Sequence, residues 1–252
     1  PDSAFIEPES GINYDDYIHN PTQLSAYIQD KIELQELIIN LGVRFDYFEP
    51  DGKILTDPTD PDIYNPVREE HMNDSLSESR EYWYEEASDK YQISPRFGAS
   101  FPITESGVVH ISYGHFFQMP RFRHLYRNPE FQLGAGTGNQ GIVGNANMRA
   151  EKTIKGEIGI KQEVFEGMVF DATAYFRDIR DLTGTRNAII ETFRGGKRYD
   201  RIQNSDFAYV KGLVLSLDYD KGEGIYGSLN YTFQVAKGSA SDPEDARDAR
   251  TA

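Results

Sequence analysis

Across Ile38–Phe48 (IINLGVRFDYF) every second residue is apolar: Ile39, Leu41, Val43, Phe45 and Tyr47 on one face, Asn40, Gly42, Arg44 and Asp46 on the other. Successive side chains of a strand point to opposite faces, so this segment reads as a strand with one greasy side and one polar side. Its length is the strongest constraint on the fold. Strands of soluble sheets average about 5–6 residues, whereas a tilted strand that crosses a bilayer needs about 9–11.

The pattern recurs in Tyr91–Phe101, Val109–Phe117, Thr153–Gln162, Met168–Phe176, Leu213–Tyr219 and Ile225–Val235. Leu24–Ile38 also fits a helix, because Leu24, Tyr27, Ile28, Leu34 and Ile38 fall near one side. Its neighbours favour a strand over Leu24–Ile32 and a short turn. Short connections are expected at Glu33–Leu37, Pro102–Gly107, Glu163–Gly167 and Asp220–Gly224. Long ones are expected at Glu49–Lys90, Met119–Ala150, Ile179–Val210 and beyond Ala236. Short and long strictly alternate, which places all long loops at one end, as in an up-and-down barrel with short periplasmic turns and long external loops. Compact soluble domains rarely carry several structureless loops of such length.

Composition enters only to exclude. A mean hydropathy of −0.61 resembles a soluble protein, but only alternate residues of a barrel strand meet lipid, so the average decides nothing. No apolar run is long enough for a membrane helix. A formal charge of −15 argues against nucleic acid as a partner. The absence of cysteine removes disulfides and thiolate metal sites. The first residues, PDSAFIEPES, are not a signal peptide, so either one has been removed or the stretch is internal to a longer chain.

With the pattern in place, the residues PTQLSAYIQDKIEL (Pro21–Leu34) and LGVRFDYFEPDGK (Leu41–Lys53) resemble the barrel of TonB-dependent receptors, including those that carry a carboxypeptidase-regulatory-like N-terminal domain. Ile93–Pro120, Glu151–Gln162, Ala172–Leu182, Tyr209–Tyr219 and Leu229–Pro243 are similar to the same family, so the likeness covers about Tyr14–Pro243. It implies an all-β fold: an antiparallel up-and-down transmembrane β-barrel in the bacterial outer membrane, here a partial barrel of about eight strands. Residues 1–252 would form part of one barrel domain, without the family's plug, signal peptide and C-terminal strands. The resemblance further implies TonB-dependent, energy-coupled uptake of a scarce ligand: a siderophore complex, cobalamin, a glycan or a peptide. Implied partners are outer-membrane lipid, the TonB–ExbB–ExbD complex acting through the missing plug, a small or oligomeric ligand, and a surface lipoprotein. The alternatives are a passive porin-like channel, and a soluble β-rich carbohydrate-binding module whose apolar faces would pack on one another in a closed core.

Candidate chemistry is sparse. Gly136–Gly141 spells G-x-G-x-x-G, but the dinucleotide motif needs a strand before it and a helix after it, so a flexible loop is the expectation. His110 and His115 should point to opposite faces of one strand and cannot share a metal there. Arg121, Arg123 and His124, in a basic and aromatic segment, could meet an anionic ligand; solvated loop charges are the plainer reading. Tyr82, Trp83 and Tyr84 could stack on a ligand or anchor an interface. Arg44, Asp46, Arg96, Lys155, Glu157 and Lys161 belong to the polar faces and would line a lumen or pair with one another. Asp57, Asp60 and Asp62 could hold Ca²⁺ through oxygen, but the segment lacks the glycine and distal glutamate of an EF-hand, which favours an acidic, proline-stiffened turn. No nucleophile–base set or paired-carboxylate site has a recognisable local signature, and neither catalysis nor a cofactor is expected.

Overall fold

A computed structural model describes residues 17–62, 66–72, 83–128, 131, 133, 137–184, 189–222 and 224–239. Eight long strands form one antiparallel sheet: β1 (Thr22–Leu34), β2 (Leu37–Glu49), β5 (Lys90–Thr104), β6 (Gly107–Gln118), β8 (Glu151–Phe165), β9 (Met168–Gly184), β12 (Gln203–Tyr219) and β13 (Gly227–Ser239). Each lies beside its predecessor in this order, so the topology is a pure meander with β1 and β13 at the two outer edges. The segment Leu24–Ile38 is a strand and a hairpin arm, as its neighbours suggested, with a turn reduced to Gln35–Glu36. The other short connections are Glu105–Ser106, Glu166–Gly167 and the segment after Asp220.

The register aligns the greasy faces of all eight strands. Ile32, Ile39, Ala99, Ile111, Ile158, Ala174, Leu213 and Phe233 are successive cross-strand partners, one from each strand. The adjacent row reads Lys31, Asn40, Gly98, Ser112, Glu157, Tyr175, Gly212 and Gln234. A slip of one residue in any strand would exchange the rows there, so the pairing itself enforces a two-faced wall. The apolar face is uncovered by protein: Ile158 is 53% exposed, Phe233 56% and Leu229 69%.

The long connections are not structureless, contrary to the sequence expectation. Residues 50–89 carry β3 (Lys53–Leu55), a helical turn α1 (Glu69–Met72) and β4 (Tyr84–Glu86), with β3 paired to β4. Residues 119–150 carry a second helical turn, α2 (Phe122–Tyr126), and β7 (Gly138–Val143). Residues 185–202 carry β10 (Ile189–Glu191) and β11 (Lys197–Arg201). β11 pairs antiparallel with β10 and parallel with β7, which joins two of the connections in a small sheet. Thus Gly138–Gly141 of the G-x-G-x-x-G stretch lies in a strand rather than a flexible loop, and no helix follows it among the described residues; Gly136 lies outside them.

Candidate functional site

The loop layer is where the described chain hides its apolar side chains. Phe48, at the loop end of β2, meets Leu125 and Tyr126 of α2, Ile142, Ala146, Met148 and Ile202 in one cluster. Leu55, Phe131, Leu133, Val143 and Tyr199 form a second. All three long connections contribute, and backbone bonds stitch them: Ile202 N–H donates to the Val143 carbonyl at 2.9 Å, and Phe193 N–H to that of Thr59 at 2.8 Å. Tyr199 is fully buried and its hydroxyl donates to the Pro58 carbonyl at 2.6 Å. Burial pushes its pKa well above the usual phenol value, which keeps the donor proton in place. Tyr126 behaves alike: burial, with the Asp51 carboxylate nearby, raises it to about 12, and its hydroxyl donates to the Pro50 carbonyl.

The layer sits on the polar face of the wall. Asp46, Phe48 and Ser94 share that face and are buried at the loop end, whereas Phe45 and Ile93 on the opposite face of the same strands stay open. Arg44 grips Asp46 through Nε and a terminal nitrogen, at 2.8–3.0 Å. Arg96 lies over the Phe116 ring, 4.8 Å from its centroid. Lys155 pairs with Glu157 at 2.7 Å. Lys161 stands on the same face, opposite Val108 and Asp171. The six polar-face candidates therefore share one side of the sheet, as alternation requires, and several pair with one another. His110 faces the same side, near Thr173, while His115 bonds to Tyr113 on the apolar side.

The acidic segment is an internal brace. Asp60 is buried, accepts from Val67 and Arg68 N–H, and lies 2.6 Å from His71 Nδ1. His71 in turn packs on the Trp83 ring at 4.4 Å. Asp57 accepts from the Thr59 N–H and hydroxyl and pairs with Arg68 Nε at 2.6 Å. Burial alone would raise the Asp57 pKa, but the Thr59 hydrogen bonds and the Arg68 charge outweigh it and hold the carboxyl below its ordinary value. Asp62 is also buried. Among the described residues, no group of three His, Asp or Glu side chains gathers as a metal ion would require.

Trp83 is 2% exposed and Tyr84 packs against Phe131, so both rings belong to the interior of the layer; Tyr82 lies outside the described residues. Arg121 and Arg123 are exposed beside the half-exposed Phe122, and His124 is half-buried as α2 turns Leu125 and Tyr126 inward. Two further features had no sequence signal, because each depends on a contact between distant segments. Arg68 lies 4.1 Å from the centroid of the exposed Phe193 ring. Tyr17, His19 and Tyr126 form an aromatic stack, with His19 and Tyr126 rings 4.1 Å apart. The layer thus offers cations and aromatic rings for binding.

A family model described as TonB dependent receptor-like, beta-barrel matches residues 2–251. No curated protein matches the chain. The outer membrane transporter YddB from Escherichia coli is similar in structure, with a TM-score of 0.60 at 12% identity over 86% of this chain and 25% of that one. A mutant of the ferric enterobactin receptor PfeA from Pseudomonas aeruginosa gives 0.58 at 20% identity, over 85% and 27%. The FrpB iron transporter from Neisseria meningitidis (F3-3 variant) gives 0.53 at 15% identity, over 86% and 26%. The chain spans about a quarter of the length of these proteins.

Proposed function

The chain belongs to the TonB-dependent receptor-like β-barrel family, and from that premise we propose that it is one sector of an outer-membrane receptor that imports a scarce ligand with energy borrowed through TonB. The observation that supports this reading is the pair of faces. A greasy row crosses all eight strands and is left open by protein, while the loop layer packs over the loop end of the polar side. Open sheet edges and exposed apolar walls do not persist in water, and they need lipid on one side and partner strands at each edge. Further strands of the full-length barrel supply those partners at β1 and β13. A soluble carbohydrate-binding module would instead have buried the Ile, Leu and Phe faces against a second layer.

In this reading Arg44, Asp46, Arg96, Lys155, Glu157 and Lys161 line the lumen and meet the plug. Arg121, Phe122, Arg123 and the Arg68–Phe193 pair contact the ligand from outside, with a surface lipoprotein as an additional partner. Structural neighbours are named as an iron transporter, a ferric enterobactin receptor and a copper transporter, so metal-bearing cargo heads the candidates. A barrel holds no fuel, so uphill import draws on the proton gradient through TonB–ExbB–ExbD.

The test uses the full-length gene in receptor-deleted and complemented cells. Accumulation of labelled ferric chelates, copper, corrinoids and oligosaccharides is measured with and without a proton uncoupler. One class should accumulate only in complemented, energised cells. Accumulation that persists under the uncoupler would assign a passive channel, and no receptor-dependent accumulation of any class would sink the proposal.

A further inference from the structure

One boundary of the wall is shorter than the strands that form it. The β2–β5 ladder continues to the pair Phe48–Lys90, and the β6–β8 ladder to Gln118–Glu151. Between β5 and β6, pairing stops at Arg96–Gly114. Lys90–Pro95 of β5 and His115–Gln118 of β6 are thus left as two edges inside the sheet, each paired only on its far side. The cause lies in the sequence. Proline has no N–H to give and belongs at sheet edges or bulges, so from Pro95 onward β5 behaves as an edge strand. The second proline of β5, Pro102, coincides with the register shift at the other end of the same ladder.

The lips of this seam carry unused bonding capacity. Ser94, next to Pro95 on the polar face, is buried, and its hydroxyl has no hydrogen-bond partner among the described residues. Arg96 marks the foot of the seam, 4.8 Å from the centroid of the Phe116 ring on β6, and has no ion pair among the described residues. On the apolar face, Tyr91 and Ile93 are 77% and 59% exposed. His115 is bonded there to Tyr113 of its own strand at 2.9 Å. The unpaired backbone therefore lies level with side chains that face lipid, where open sheet edges are not tolerated.

We propose that the loop-end seam between β5 and β6 is a strand-addition site that takes an extended peptide with a carboxylate beside Arg96. A row of alternating N–H and C=O groups is matched by another extended backbone, which adds main-chain bonds to an open edge; hydrocarbon matches none of them. The carboxylate supplies the counter-charge that Arg96 lacks. The need for a hydrogen-bonding occupant rests on the outer-membrane reading above, since in water the lips would be solvated. The site is distinct from the lumen, because it lies within the wall.

The test uses the purified full-length receptor in lipid nanodiscs. The probe is a short peptide of alternating valine and serine that ends in aspartate. One comparison peptide is N-methylated at alternate residues, which removes backbone donors; another ends in asparagine amide. Binding is read by native mass spectrometry, and hydrogen exchange is resolved to single amides. In wild type, the amides of residues 91–94 and 115–118 that point into the seam should exchange freely and become protected by the probe. The N-methylated form should bind about tenfold more weakly, as expected for about two backbone hydrogen bonds lost. Wild type should prefer the aspartate form, and Arg96→Gln should bind the aspartate and amide forms alike. Pro95→Val restores the missing donor and should zip the seam, protecting its amides without peptide and weakening the probe. The wild-type comparison of backbone forms keeps the test open if a variant fails to assemble. Seam amides protected in wild type before peptide is added, equal binding of the two backbone forms, or unchanged binding in Pro95→Val would overturn the proposal. Heat-modifiable gel mobility and outer-membrane fractionation of wild type test the underlying reading separately.

Discussion

The wall and the loop layer use the same apolar residue types and treat them in opposite ways. On the wall, Ile158, Leu229 and Phe233 remain more than half exposed; in the layer, Tyr199 and Ile202 are fully buried and Met148 is 1% exposed. The difference is one of solvent. The layer must make its own dry interior, so it builds clusters in which volume and shape matter. The wall receives its apolar surroundings from the membrane, so only the face on which a residue stands matters. Stability of the layer is therefore a packing problem, and stability of the wall a problem of pattern.

The largest expected effect tests the packing half. Tyr199→Ala removes a buried ring and the hydroxyl bonded to Pro58, at about 3–5 kcal/mol for an aromatic truncation. Loss of hydrogen-exchange protection should stay within residues 50–89, 119–150 and 185–202 while the receptor keeps its heat-modifiable mobility. Collapse of the wall as well would show the regions to be one cooperative unit. Next comes Ile158→Arg, at about 2–4 kcal/mol in mid-membrane, read by urea unfolding from lipid vesicles. Ser112→Arg, in the adjacent row opposite Glu157, should cost far less; equal costs would mean that the faces do not differ in solvent.

This division also explains what the sequence made legible. Face and partner order of the strands follow from alternation, which lipid enforces residue by residue. The ambiguous Leu24–Ile38 segment resolves because Tyr27 and Ile28 stand on opposite faces, which a strand accepts and a helical stripe would not. The strands extend beyond their alternating segments at the loop end. β12 begins at Gln203 rather than Leu213, and β9 runs on through Asp178 and Arg180 to Gly184, because the outer turns need no apolar face. The small strands of the layer had no periodic signal, since short segments buried on several sides follow neither period. Of the candidate site, polar-face membership was readable from parity. The buried state of Trp83 and the Asp60–His71 pair were not, because both depend on contacts across the long connection.

A smaller effect probes the turn end, where neither packing nor lipid dominates. Gly167 closes the β8–β9 hairpin with φ +76°, and a Cβ there would come within 2.5 Å of the Asp220 carbonyl oxygen of the neighbouring turn. Gly167→Ala should cost about 1–2 kcal/mol for the left-handed conformation alone, and more if the two turns cannot separate. Slower assembly in a refolding time course, with an unchanged final fold, is the expected result. An unchanged rate would mean that the hairpin forms after its neighbours have already set the register.

The smallest effect separates the two regions by pH. Asp57 is depressed below the ordinary carboxylate value by its Thr59 hydrogen bonds and Arg68. Its folded form therefore binds the proton less readily than the unfolded chain does. The stabilisation is complete above about pH 4, the usual carboxylate value, and fades as pH falls from there through the lower folded value. The pair is partly exposed, with about a quarter of each side chain accessible (28% and 28%), so its contribution should stay below about 1 kcal/mol. Hydrogen-exchange protection in residues 53–60, corrected for the intrinsic exchange rate at each pH, should fall on acidification in wild type and be less pH-dependent in Asp57→Asn, with β5 and β13, which carry no carboxylate, unaffected in both. A parallel loss of protection in those strands would show acid acting on the wall directly, and the claim that the layer's stability is set by its own contacts would fail.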